Sequence, residues 1–287
     1  MKSISQKLIL PILCATLLFA TLPANANEVK LNDTWSYIST GNHDEDKYLE
    51  SLFFFLHGEL KSIFGAEVVN GIKCTIYIDR NAPGPFIQYV SNEELRIRLN
   101  VRDTNLWSQL VWQLAHEMTH YIFCQTYDFV KLKGSKWNEE IVADAMALYM
   151  LKQLADNWDD FVLSKYDRYR DTPYSSAIYE RIDNELRRAA GRVLKSSQEA
   201  ITIQQFAELN RTVNFDRENH MAEVNFLFAL LITLEKEQIK PSILEMYQYL
   251  VDDTYIDYER WMHNAKYPDV IGELSRIQPE IIKPTSL

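Results

Sequence analysis

The sequence from residue 106 to residue 122 reads LWSQLVWQLAHEMTHYI. Apolar residues recur in it at every third or fourth position, which predicts an amphipathic α-helix that begins after Asp103 or Thr104 as the N-cap. One stripe of the helix contains Leu106, Leu110, Leu114 and Met118, with Val111, Ala115 and Ile122 beside it. The predicted helix therefore packs against a core, and it also carries two histidines and a glutamate.

These residues form an H-E-x-x-H pattern, His116-Glu117-Met118-Thr119-His120. Four residues at about 100° each bring His120 nearly above His116, roughly 6 Å along the axis, so both imidazoles can meet one metal ion. Glu117 lies about a quarter turn away, where it can reach a water molecule on the metal, as a general base must. The pattern predicts a metal site that activates water as a nucleophile.

A second predicted helix supplies the carboxylates that such a site still needs. It begins with WNEEIVAD, residues 137–144, in which Glu140 and Asp144 are one turn apart on one face. An oxygen of Glu140 can be the third zinc ligand, which leaves a fourth position open for water, as in catalytic zinc sites. Asp144 can accept the second N–H of His116 and thereby fix the orientation of that ring.

The two segments resemble the gluzincin group of zinc metallopeptidases, the thermolysin-like zincins, in which an H-E-x-x-H helix precedes a helix with a glutamate ligand. The 20-residue separation of His120 and Glu140 matches the thermolysin-type spacing, and Asp144 matches the partner of a ligand histidine. The resemblance covers only residues 95–150. It implies a zincin-like fold and hydrolysis of peptide bonds, with one zinc ion per chain as Lewis acid and water activator.

The resemblance also implies what the site residues do. Glu117 would take a proton from water at the zinc and pass it to the leaving amine. The substrate, a peptide or protein, would lie along an exposed strand edge, for which residues 95–101 are the candidate.

The sequence departs from the family pattern beside the third ligand, where Asn138 precedes two glutamates instead of one. The asparagine would select Glu139 as the ligand, whereas the aspartate four residues further on selects Glu140. We prefer Glu140, because it shares a helix face with Asp144. Glu139 is then interpreted as a solvated carboxylate near the helix N-terminus, where the helix dipole favours negative charge.

Gluzincins usually have a histidine or tyrosine that donates to the oxyanion of the transition state. His220 is the better candidate for this catalytic role, because it continues an apolar stripe on a helix predicted from about residue 216 to residue 237. A hydrogen-bonded core histidine would fit the same position. Tyr174 and Tyr179 are weaker candidates. Surface or packing roles are expected for the remaining histidines, His43, His57 and His263.

The rest of the sequence predicts an α+β fold. Residues 44–64 have the pattern of an amphipathic helix that ends at Gly65, and β-type runs follow at residues 74–78, 86–90 and 95–101. After the H-E-x-x-H helix the pattern is almost entirely helical, at residues 135–155 and 179–195, from a capping box at Thr202-x-x-Gln205, at about residues 216–237, and from Pro241.

We therefore predict two lobes with zinc in the cleft between them. The N-terminal lobe, residues 27–130, would contain the small sheet and the H-E-x-x-H helix. The C-terminal lobe, residues 131–287, would be mostly helical and carry the third zinc ligand.

Residues 1–26 have the features of a secretory signal peptide, which predicts a periplasmic or secreted protein. Lys2 and Lys7 accompany an apolar run that is followed by a small-residue site, with cleavage expected after Ala26. No other stretch approaches the roughly 18 apolar residues of a membrane span. The net charge is −10 for the whole chain and −12 without the two lysines. Such an acidic chain argues against nucleic acid as a partner.

Two cysteines remain in the predicted mature chain, Cys74 and Cys124. Disulfides persist in exported proteins, so the two thiols can form one bridge. Two buried free thiols are equally compatible with the sequence, and both alternatives stay open.

The leading functional hypothesis is an exported zinc-dependent peptidase. The second hypothesis is a zincin-fold binding or assembly protein whose metal site is not catalytic. The presence of four key residues, His116, Glu117, His120 and Glu140, favours the first hypothesis. A structural zinc site would more often close its fourth position with a protein ligand.

Overall fold

A computed structural model describes residues 27–102, 106–127, 135–166, 174–213 and 217–282. Several sequence predictions lie outside these residues, namely the signal peptide, the helix N-cap at Asp103 or Thr104, and the boundary between lobes at residue 130. In the part that is described, no helix is both long enough and apolar enough to cross a membrane.

The described chain is a mixed α/β structure, in which the longer strands precede most of the helices, in agreement with the α+β prediction. The helices are α1 His43–Phe64, α2 Ala66–Val69, α3 Trp107–Thr126, α4 Lys136–Asp156, α5 Tyr174–Arg188, α6 Ile203–Thr212, α7 Met221–Leu231, α8 Lys236–Leu244, α9 Tyr258–Asn264 and α10 Pro268–Leu274. The strands are β1 Glu28–Lys30, β2 Trp35–Ile38, β3 Lys73–Ile78, β4 Phe86–Ser91, β5 Glu94–Leu99, β6 Ile201–Thr202, β7 Leu250–Val251, β8 Tyr255–Ile256 and β9 Ile281–Ile282.

The structure confirms helix α1, which the periodicity of its sequence predicted. The side chain of Asn42 caps it by accepting hydrogen bonds from the backbone N–H groups of Asp44 and Glu45. Gly65 ends it with a φ of +95°, in the left-handed region that favours glycine. The apolar stripe is buried, and in the aromatic run Phe53-Phe54-Phe55 in the middle of the helix, Phe53 is fully buried whereas Phe54 is 46% exposed. A strict helical period therefore places only part of that run in the core.

The main sheet has the strand order β1-β2-β3-β5-β4, with β4 antiparallel to β5. Strand β5 alternates as predicted, with Leu95, Ile97 and Leu99 buried. The prediction that residues 95–101 form a sheet edge is wrong, because β3 pairs with one side of β5 and β4 pairs with the other. The short turn between β4 and β5 folds β4 back onto the free side of β5. Strand β4 is consequently the edge strand on this side of the sheet, and β1 is the edge strand on the other side.

Helices α3 and α4 pack against each other and occupy the centre of the molecule. Helix α4 also packs against α5 and α7, so it is covered on nearly every side. Its buried residues include small side chains, which allow neighbouring helices to approach closely: Ala143, Ala145 and Ala147. Two helices that carry acidic and imidazole side chains are thus held side by side by a continuous apolar core.

The helices after α4 differ from their predicted bounds. Helix α5, Tyr174–Arg188, overlaps the predicted segment, residues 179–195, but begins before residue 179 and ends before residue 195. The helix predicted over residues 216–237 is shorter, because a 3-10 turn at Arg217–His220 precedes α7 and the chain leaves the α-helix after Leu231. Pro241 lies inside α8 rather than opening it, since Glu235, six residues earlier, is the N-cap of that helix. The capping box of Thr202 and Gln205 is confirmed.

Both cysteines are free thiols in the structure. Cys74 is buried on β3, and Cys124 is partly buried on α3. Burial is the main cause that raises the pKa of both thiols, to about 12 for Cys124. Of the two alternatives that the sequence left open, the structure thus has the unbridged pair.

Asn138 joins the beginning of α4 to the C-terminal part of the chain. Its side chain is fully buried, donates to the side-chain oxygen of Gln278 at 3.0 Å, and accepts from the hydroxyl of Tyr258 at 3.0 Å. The side-chain oxygen of Gln278 also accepts a hydrogen bond from the backbone N–H of Ile256, and its side-chain NH₂ group donates to the backbone carbonyl of Ile256. The network fixes the position of the first turn of α4, from which Glu139 and Glu140 project.

We expect Asn138→Ala to lower the free energy of unfolding by about 2–3 kcal/mol, because the change removes two buried hydrogen bonds and leaves the buried hydroxyl of Tyr258 without its acceptor. Chemical unfolding in urea measures the difference. The matched control is Asn264→Ala, which removes an exposed amide and should change stability by no more than about 0.5 kcal/mol. Equal losses in the two variants would contradict a structural role for the network.

Candidate metal centre

His116, His120 and Glu140 form a group that can bind a metal ion. Their nearest ligand atoms all lie within 4.8 Å of one another. The two Nε2 atoms are 3.1 Å apart, and Oε2 of Glu140 lies 3.4 Å from Nε2 of His116 and 3.6 Å from Nε2 of His120. Tetrahedral ligands with bonds of about 2.0–2.1 Å are about 3.3 Å apart. The three donor atoms are thus spaced for one small tetrahedral ion.

Local helix geometry and helix packing build this group together. His116 and His120 come to the same face of α3 because they are one turn apart, as predicted. Glu140 comes from α4, which packs against that face. The side chains of His116 and Glu140 are 16% and 14% exposed. A water molecule or a substrate can therefore approach the group from outside.

Asp144 contacts His116 as the sequence predicted. Its Oδ1 lies 2.9 Å from Nδ1 of His116, on the opposite side of the ring from the shared Nε2. Burial alone would raise the pKa of Asp144, but hydrogen bonds to His116 and His220 and the charge of Arg217 hold this pKa well below its usual value. The residue is therefore a carboxylate that keeps the metal-facing nitrogen of His116 in position.

Glu139 has a different environment from the one the sequence predicted. It is only 2% exposed, so its interpretation as a solvated carboxylate is wrong. Its Oε1 lies 2.7 Å from Nδ1 of His120, and its Oε2 forms an ion pair with Nζ of Lys136 at 3.2 Å. Neighbouring positions on a helix point about 100° apart, so Glu140 faces both Nε2 atoms while Glu139 faces the far side of His120. Each histidine therefore has its own orienting carboxylate.

The carboxylates change the protonation of both histidines. Burial alone would lower the pKa of His120, but the charges of Glu140 and Glu139 outweigh burial and raise this pKa to about 9. The pKa of His116 is also raised against burial, through hydrogen bonds to Asp144 and Glu140. The same contacts hold the pKa of Glu140 well below its usual value, although burial acts in the opposite direction.

The stability of the metal-free protein should fall as the pH rises from about 6.5 to above 9. His120 has a pKa near 6.5 when unfolded and about 9 when folded, so its contribution is complete below pH 6.5 and is lost as the pH rises through 9. We expect a loss of roughly 3 kcal/mol from this residue. Urea unfolding after chelation, at several pH values, measures the loss. Glu139→Gln should reduce it, and an identical pH profile in both proteins would contradict the assignment.

Glu117 lies on α3 beside the two histidines and is 3% exposed. Burial raises the pKa of its carboxyl group, and the nearby imidazoles of His116 and His120 partly offset this effect. A carboxylate whose pKa is raised toward neutrality is better suited to accept and return a proton.

The structure places His220 behind Asp144. It is the residue just before α7, buried to 98%, with its Nε2 3.3 Å from Oδ2 of Asp144. This contact suits a residue that supports Asp144. The catalytic role of His220, donation of a hydrogen bond to the oxyanion of the transition state, stays a prediction.

The tyrosines and the other histidines make packing or surface contacts. The hydroxyl of Tyr174 accepts a hydrogen bond from the backbone N–H of Trp107, and Tyr179 bonds to Asp156. Surface or packing contacts are likewise found for His43, His57 and His263, as predicted.

Sequence reasoning missed three residues next to the metal-binding group. Lys136 forms an ion pair with Glu139, and Nε of Arg217 donates to Oδ2 of Asp144 at 2.7 Å. Trp112 packs with its ring 6.1 Å from that of His116. Only Trp112 had a local signal, because it lies one turn before His116. Nothing near Arg217 in the sequence indicates its partner, which is 73 residues away.

Comparisons of the chain with protein-family profiles, with curated proteins and with solved structures found no match.

Proposed function

We propose that this chain is an exported zinc-dependent metallopeptidase of the gluzincin type. The observation that carries the proposal is the spacing of the three donor atoms of His116, His120 and Glu140, with Glu117 beside them. Two imidazoles and one carboxylate are a ligand set that zinc accepts, and they leave a fourth position for water. The signal-like sequence of residues 1–26 supports export to the periplasm or beyond the cell.

The protein residues have distinct tasks in the proposed reaction. Zinc, when bound, supplies Lewis acidity to the scissile carbonyl and lowers the pKa of water. Asp144 and Glu139 hold the two imidazoles so that their Nε2 atoms converge. Glu117 takes a proton from the attacking water and delivers it to the amine of the leaving group. Its buried position keeps the carboxylate poorly solvated and therefore more basic.

Strand β4 is the surface on which we place the peptide substrate. It is one of the two edge strands of the main sheet, and α3, which carries the two histidines, packs against it. Apolar side chains are exposed along it, with Phe86 at 43%, Tyr89 at 38% and Val90 at 38%. An extended peptide can add to such an edge through backbone hydrogen bonds, while exposed apolar side chains contact those of the peptide.

A peptide-library digest tests this function. The protein from residue 27 onward is loaded with zinc and incubated with the library, and the cleaved bonds are identified by mass spectrometry. We expect cleavage that stops after chelation and returns when zinc is restored. A folded protein with about one zinc per chain that cleaves no member of the library would refute the proposal.

A further inference from the structure

An arginine cluster lies beside the metal-binding group. Four arginines share three carboxylates, so the cluster has one more positive than negative charge, although the chain as a whole is acidic. Its members are Arg181, Arg188, Arg192 and Arg217, with the carboxylates Asp144, Glu185 and Glu218. Glu185, which is only 2% exposed, forms ion pairs with three of these arginines.

Two of the arginines lie against Trp112, next to the metal ligands. The guanidinium carbon of Arg217 is 3.9 Å from the centre of the Trp112 ring, and that of Arg181 is 5.8 Å away. Trp112 lies one turn before His116 on the same face of α3. The side chains of Arg217 and Arg181 are 28% and 39% exposed. Solvent, and therefore a ligand, can reach both groups.

Each of these two arginines has one buried N–H group without a partner. Within the described parts of the chain, Nη2 of Arg217 and Nε of Arg181 are buried and have no hydrogen-bond partner. Among the described residues, Arg217 forms ion pairs with Asp144 and Glu185, whereas Arg181 forms an ion pair with Glu185 alone, 2.8 Å from its Oε1. A carboxylate would therefore meet the exposed part of the Arg181 side chain, where a planar guanidinium can form charge-assisted hydrogen bonds with it.

The distance from the metal ligands to Trp112 fits a substrate carboxylate close to the cleaved bond. An extended peptide advances about 3.3–3.5 Å per residue. A carboxylate one or two residues from a bond held at His116 and His120 would thus reach Trp112, whose ring lies 6.1 Å from that of His116. Lys136, the cation beside Glu139, is occupied by its ion pairs with Glu139 and Glu140.

We propose that Arg181, supported by Trp112 and Arg217, selects peptides that carry a carboxylate one or two residues from the scissile bond. The carboxylate is either an Asp or Glu side chain or the C-terminal carboxylate of the peptide. This inference rests on the proposed peptidase function, which supplies the bond at the metal site.

Matched peptides measure the selection. One pair differs by Glu against Gln beside the cleaved bond, and a second pair has a free against an amidated C-terminus. We expect the zinc-loaded wild type to favour one carboxylate form about tenfold in kcat/KM, mainly through KM. The pair that shows the preference identifies the source of the carboxylate. Arg181→Gln should abolish the preference, and Arg181→Lys should retain part of it.

Arg187→Gln is the matched control, because Arg187 is an exposed arginine of the same helix, α5. It should keep the full preference. Equal cleavage of both members in both pairs, or a preference that Arg181→Gln leaves intact, would overturn the inference while the peptidase function stands.

Calorimetric binding of the same peptides to zinc-loaded Glu117→Gln provides a readout without catalysis. A preference that depends on Arg181 in binding, together with no cleavage by the wild type, would support the carboxylate site and refute the peptidase function instead.

Discussion

Glu140→Ala should remove the metal from the protein, whereas Glu139→Ala should keep it with reduced affinity. Glu140 presents Oε2 to both Nε2 atoms, so its loss leaves only two protein ligands. Within the metal-binding group, Glu139 contacts Nδ1 of His120, the nitrogen that faces away from the metal position, and acts by orienting that ring. Loss of such an orienting partner typically weakens metal affinity by roughly 10–100-fold, and loss of a ligand should weaken it further.

Mass spectrometry of the metal content, followed by competition with a chelator, separates the two effects. We expect about one zinc per chain in the wild type and in Glu139→Ala, with faster loss to the chelator in the variant. Glu180→Ala, which removes an exposed carboxylate on α5, should behave as the wild type does. Metal loss in Glu139→Ala but not in Glu140→Ala would exchange the roles of the two residues. No bound zinc in the wild type at neutral pH would remove the basis of the peptidase proposal.

Glu117→Gln should abolish peptide hydrolysis without loss of the metal. Glutamine has nearly the same shape but cannot take a proton from water, and general bases contribute typically 10²–10⁴-fold to the rate. Glu117 does not belong to the group whose ligand atoms converge, so the metal content should be unchanged. Single-turnover cleavage of a peptide found in the library digest measures the loss.

The same variant separates the two functional hypotheses. A variant that keeps zinc and retains full biological activity would favour the binding or assembly protein, because such a protein needs the fold and not the base. Asn264→Ala, which changes an exposed amide on α9, is the control for handling and purification. It should hydrolyse the peptide at the rate of the wild type.

Residue spacing alone predicts the parts of the site that depend on one helix at a time. His116 and His120 share a face because four residues make about one turn, and the same rule relates Glu140 to Asp144. Helix α1 was predictable for a similar reason, since its apolar residues recur at every third or fourth position and Gly65 marks its end. Such features involve residues only a few positions apart, whose relative placement follows from backbone geometry.

Contacts between residues far apart in the sequence follow only from the packing of the whole chain. The partner of Glu139 became evident once α4 was packed against α3, and Arg217 and His220 reach Asp144 across 73 and 76 residues. Strand β4, not β5, is the sheet edge because β3 and β4 pair with opposite sides of β5. Periodicity shows which face of an element is apolar, but it carries no information about which element covers that face. That choice depends on how the whole chain buries its apolar surface while satisfying its buried charges.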